Sequence, residues 1–165
     1  HGGFDMLVQN LIDLINLEAD ELLDSDTDNI PYINQAIDYL SFTLAGMGDP
    51  ELITTVDLIN GIDVPSNFVD FVPHNGYPVF ISGGKFILSG VEIVHKVKYS
   101  TTKPHVIAVT DEMPFKVMYG GVIVLIASYL IKKKTYIPVE YCNEDKAFVG
   151  EVIAAIKAAK GVVSS

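Results

Sequence analysis

The chain contains no arginine, a single cysteine, and no basic residue before Lys85. Each absence narrows the function. Specific recognition of nucleic acid or phosphate favours the planar guanidinium fork, and all 11 basic residues here are lysines. A chain with a formal net charge of −10 repels a polyphosphate backbone rather than gripping it. Cys142 alone forms no intrachain disulfide and belongs to no C-x-x-C zinc spacing. The setting this predicts is a reducing cytoplasm, or a particle assembled there. The opening HGGFDM has no basic region and predicts no secretory leader. The longest uncharged apolar stretch, residues 117 to 131, is shorter than the roughly 20 residues a bilayer requires, so it predicts a buried core helix rather than a membrane segment.

What is present points to assembly. At 165 residues the chain can build one domain with a core. Hydrophobic residues make up 49% of it and mean hydropathy is +0.34, rich for a soluble monomer. Such a composition predicts apolar surface buried against other copies or a partner. Charge is divided along the chain. Residues 1 to 84 carry 14 acidic groups and no basic one, whereas residues 85 to 165 carry 11 lysines against 7 acidic groups. The plainer reading is that both regions face solvent. The other is that an acidic region of one copy faces a basic region of the next, or of a different ring, since complementary potentials steer association.

Apolar periodicity predicts a first helix over residues 4 to 23, where Phe4, Leu7, Val8, Leu11, Ile12, Ile15, Ala19, Leu22 and Leu23 form a stripe broad enough for more than one neighbour. A second is predicted over 30 to 46, capped by Asn29, with Pro31 in its first turn and Gly46 and Gly48 ending it. From about 52 to 110, short runs of β-branched and aromatic residues are cut by Gly and Pro and predict strands. PVFISGGKFIL, residues 78 to 88, reads as a hairpin turning at Ser82-Gly83-Gly84. Residues 92 to 101 alternate, with Ile93, His95, Val97 and Tyr99 on one side, and residues 105 to 109 suggest another short strand. A buried helix follows Pro114 with Asp111 or Glu112 as its cap, and a last helix over about 144 to 160 is capped by Asn143. The fold class this predicts is α+β: a mostly helical bundle of two N-terminal helices (about 4–46) and two C-terminal helices (about 114–160) with a small inserted β region (about 52–110), in a single domain spanning 1–165.

Candidate chemistry is sparse. DSDTDNIPYINQ opens with Asp24, Asp26 and Asp28 at alternate positions, as an EF-hand calcium loop does. Such a loop needs Gly at its sixth position and a bidentate Glu at its twelfth, and here those positions are Asn29 and Gln35. The stretch reads as a helix–helix turn, leaving the three aspartates as a weak metal candidate beside an otherwise empty list of catalytic, cofactor and metal residues. His1, His74, His95 and His105 share no ligand spacing. Ser82-Gly83-Gly84-Lys85 lacks the Ser or Thr of a phosphate loop, Phe86 standing there instead. Cys142 near a helix start has no visible His partner and reads as structural.

The order of parts nonetheless resembles a known family. An acidic first helix, INQAIDYLSFTL, an irregular β insert, YSTTKPHVIAVTDEMPF leading into GGVIVLIASYLIKKK, and CNEDKAFVGEVIAAIKAAK together resemble the head-to-tail adaptor (connector) proteins of tailed bacteriophages, with Asp111-Glu112-Met113-Pro114-Phe115 as the approach to the apolar helix. The resemblance implies a non-enzymatic virion protein of the phage neck, assembled in the host cytoplasm. It implies a ring, commonly of twelve copies, under the portal protein, extending the DNA channel and offering a docking surface to the tail or stopper protein. DNA passes without specific binding, and no cofactor or membrane is involved. Alternative expectations are another neck or tail-completion protein, a small tail-associated cell-wall hydrolase using a carboxylate pair, and a calcium-dependent module built on Asp24, Asp26 and Asp28.

Overall fold

The computed structural model describes residues 6–18, 23–133 and 145–161. The predicted cap Asn143, Cys142 and His1 lie outside them. The chain divides into two compact units, one of residues His1–Leu40 with Pro104–Ser165, the other of Ser41–Lys103. The described residues form four α-helices, α1 (Val8–Glu18), α2 (Ile30–Gly46), α3 (Gly120–Lys132) and α4 (Lys146–Ala159), and five strands, β1 (Ile53–Ile59), β2 (Phe68–Phe71), β3 (Val79–Ser82), β4 (Lys85–Leu88) and β5 (Ile93–Thr101). No helix among them is long and apolar enough to cross a membrane.

In the first unit α3 is the central helix. Val122, Ile123, Ile126, Ala127 and Leu130 are buried on it, against Val8, Leu11, Ile12 and Ile15 of α1 and Phe148, Val152 and Ile156 of α4. Full burial of each such side chain contributes roughly 1.5–3 kcal/mol. The Gly120-Gly121 pair works at one of its two positions. A Cβ on Gly120 would stand 2.8 Å from the Met6 sulfur and 3.6 Å from Leu11, whereas one on Gly121 would meet nothing within 4 Å. α4 is tied to α3 by Tyr129, whose ring stacks on Phe148 at 3.9 Å between centroids and whose hydroxyl donates to Asp145 at 2.8 Å.

Several helix starts and caps differ from the sequence pattern, at α1 because a distant segment takes the backbone and elsewhere because a nearby side chain is spent differently. Leu7 is not helical. It bridges Glu112, while the N–H groups of Val8 and Gln9 donate to the carbonyls of Asp111 and Val109. Asn29 does not cap α2. It is buried at the end of a 3-10 turn, Asp26–Asn29, and its side-chain amide donates to the Asp26 carbonyl. The predicted C-terminal end of α2 holds: Gly48, at φ 71°, and Asp49 return hydrogen bonds to Ala45 and Leu44. Residues 105–109 form no strand. Asn34 instead brackets Val106, accepting from its N–H at 2.8 Å and donating to its carbonyl at 3.0 Å. Asp111 closes that loop, accepting from Ile107 and Ala108, so it is not the cap of α3. α3 begins only at Gly120, after an extended Lys116 and a 3-10 turn, Val117–Tyr119. Asp145 caps α4, accepting from the Phe148 N–H at 3.0 Å.

The second unit overturns the expectation of a mostly helical bundle. Its five strands form two antiparallel sheets, ordered β1-β5-β2 and β3-β4. The short runs between Gly and Pro carry enough aromatic and branched residues to close a core of their own. Phe86, fully buried, meets Phe68 at 5.5 Å, Phe71 at 5.7 Å and Tyr99 at 6.2 Å between ring centroids, with Leu58, Leu88 and Val97 around them. The architecture is therefore α+β with a β unit that stands as a structure in its own right.

The hairpin turns on two residues. Ser82 pairs with Lys85, leaving Gly83 and Gly84 at φ 59° and 74°, the doubly left-handed backbone of a type I′ turn. β5 departs from its predicted alternation. Val56 pairs with Val97 but Leu58 with Val94, so β5 carries one extra residue at His95-Lys96. Beyond this bulge the phase flips: Val94 faces the core and Ile93 is exposed, whereas Val97 and Tyr99 are buried. Asp57 holds the bulge, accepting from the Lys96 N–H at 3.0 Å, with the His95 ring at 3.2 Å.

Candidate functional site

Among the described residues, the groups singled out in the sequence stand in separate places. Asp28 accepts from the Ser25 N–H at 3.1 Å, and Asp26 from the Gln9 side chain at 3.0 Å. Both carboxylates thereby order the turn into α2. Among the described residues no group of three His, Cys, Asp or Glu side chains is placed to hold a metal ion, Asp24, Asp26 and Asp28 included. Three histidines each stand beside one aspartate in separate, solvent-facing places: His74 with Asp70 at 2.7 Å, His95 with Asp57 at 3.2 Å, and His105 with Asp38 at 2.8 Å. Lys85, of the loop that superficially resembles a phosphate site, is paired with Asp63.

Among the described residues, every carboxyl group with a displaced pKa, namely Asp57, Asp63, Asp111 and Asp145, is displaced downward. The chief cause is the Lys96 N–H for Asp57, the Lys85 ammonium for Asp63, the Ala108 N–H for Asp111 and the Phe148 N–H for Asp145. A general acid needs the opposite displacement. These four serve a bulge, a surface ion pair, a turn and a helix cap.

The features without an internal use are apolar surfaces. On α1, Leu14 and Leu17 stand outside the core face, and Leu17 is 78% exposed. Three residues apart, they share one face of the helix. They form one wall of a groove of about 360 Å³ whose other wall is Gly121, Val124 and Leu125 of α3, with Glu18 at its rim. Gly121 keeps this groove open, since no side chain fills the space beside it. In the second unit, Ile59 and Val91 are exposed at a recess of about 490 Å³, Ile93 is exposed on β5, and Phe80 and Ile81 are exposed on β3. Among the described residues β3 is paired only with β4, and it carries no charged residue. Bare apolar edges of this kind are usually blunted or covered in monomers.

Sequence reasoning missed Leu14 and Leu17, because the strong period of the core face absorbs attention. The signal was present: the two leucines repeat at helical spacing off the line of Leu11, Ile12 and Ile15. The exposed Ile93 was hidden by the bulge. No protein-family model matches the sequence, and no curated protein matches it.

Proposed function

We propose that this chain is a structural subunit of a tailed-phage neck, a head-to-tail connector that forms a ring under the portal and docks the tail. The observation that carries the reading is exposed apolar surface at several places in a chain whose described histidines, with Lys85, Asp26 and Asp28, are engaged in local structure: the α1–α3 groove, the recess at Ile59 and Val91, and the edge strand β3. These are surfaces for neighbours, not for turnover. The element order, with helices before and after the β strands along the chain, accords with the connector reading. The acidic balance supports it further, because a channel wall through which DNA slides should hold DNA weakly.

Single-particle electron microscopy tests this on the purified protein, alone and mixed with the portal protein of the same phage. The expected result is a closed ring around an open channel, in one sample or both. A chain that stays monomeric in both samples sinks the reading. Cell-wall hydrolysis by the purified chain, abolished on substituting a carboxylate, would move the protein to the hydrolase class.

A further inference from the structure

The α1–α3 groove has a fitting occupant on the same chain. α4 buries Phe148, Val152 and Ile156, and its opposite face is exposed. Along that face run Ala147, Gly150, Ala154 and Ala158, a strip with almost no relief. A surface without side-chain bulk can approach protruding leucines closely, as ridges enter grooves. Lys146 and Lys157 flank the strip on one side and Glu151 on the other. The groove's leucines are flanked by Asp13 and Glu18, both exposed on α1.

Charge then decides which surfaces can meet. Two α1 faces brought together would oppose Asp13 and Glu18 to their own copies. Two α4 faces packed antiparallel would oppose lysine to lysine. α4 of one copy against α1 and α3 of another places lysines against carboxylates over an apolar centre. Such an interface joins two different surfaces, so it propagates head to tail and closes into a ring when the rotation per copy permits.

We infer that the exposed face of α4 seats in the Leu14–Leu17 groove of a neighbouring copy, with Lys146 and Lys157 facing its Asp13 and Glu18. This rests on the ring proposed above and names the contact that builds it. The contact explains why Gly121 is left open on a helix otherwise crowded with branched residues. It also gives the divided charge of the chain a use.

Two single-cysteine variants in a Cys142→Ser background test the contact: Leu17→Cys and Ala154→Cys. Both positions are exposed, so neither substitution disturbs the core. Mixed under a mild oxidant, the two should give a disulfide-linked heterodimer at least tenfold in excess of either homodimer, read by intact mass. The doubly substituted chain should give a ladder of linked copies. A mixture in which homodimers equal the heterodimer overturns the inference. So does crosslinking no greater than that of an Ile107→Cys control, a position 86% exposed on an unrelated loop. A second readout is charge. Glu18→Lys and Lys157→Glu should each weaken association at least tenfold in sedimentation, and the two variants mixed should recover it. Rings without the Leu17–Ala154 link would leave the connector reading standing and this contact refuted. The link without a ring would do the reverse.

Discussion

At the scale of single residues, two positions show how distant partners set local conformation. Lys96 is the described non-glycine residue with positive φ, at 54°. The left-handed backbone costs a side-chain-bearing residue about 1–2 kcal/mol, and glycine's extra unfolded-state freedom offsets about 0.5–1 kcal/mol of any relief. Lys96→Gly should therefore stabilise the protein by about 0.5–1 kcal/mol in urea titrations, provided Asp57 keeps its bond to the backbone N–H. Asp145 makes the second case. Its folded-state pKa lies below the unfolded value, so its stabilising contribution is complete above about pH 3.9 and is lost as the pH falls through the folded-state pKa. Asp145→Ala should melt below the wild type at pH 7, with the gap closing in scans taken progressively below pH 3.9. An excess of calcium should leave the melting temperature unchanged, because Asp26 and Asp28 are spent on Gln9 and Ser25.

At the scale of elements, the β3–β4 hairpin separates burial from exposure within a few residues. Phe86 lies at the centre of the aromatic cluster, and Phe80 on the facing strand is 52% exposed. Phe86→Ala should cost about 3–5 kcal/mol and abolish the folded signal of the β unit. Phe80→Ala should change stability by no more than about 0.5 kcal/mol in the same denaturation assay. The alternation that predicted β5 was right at Val97 and Tyr99 and inverted at Ile93 and Val94. The physical reason is the extra residue at His95-Lys96, which Asp57 on β1 accommodates. A period counted along one strand holds no information about its partner. α2 shows the contrast: its bounds, Ile30–Gly46, coincide with the predicted 30 to 46, because the Gly48 stop is local.

At the scale of the whole molecule, charge and apolar surface act together. Contacts between acidic and lysine-bearing faces are screened within roughly 10 Å at 0.1 M salt. On the contact proposed above, assembly of the full chain should therefore loosen as salt rises. Sedimentation across a salt series checks this, and association indifferent to salt would assign the contact to apolar burial alone. The sequence by itself determined what depends on near neighbours: the α+β class, the extent of α2, the Gly83-Gly84 turn within the hairpin, and an acidic first half without a basic residue. Only the tertiary structure decided that the β region is a unit with its own core, that Asp111 closes a loop while Asp145 caps α4, and that Leu14 and Leu17 face outward beside an open Gly121. The first and last of these depend on which distant segments pack on a sheet or a helix face, and the caps on which of several nearby carboxylates meets a backbone N–H, a choice made only when the chain has folded.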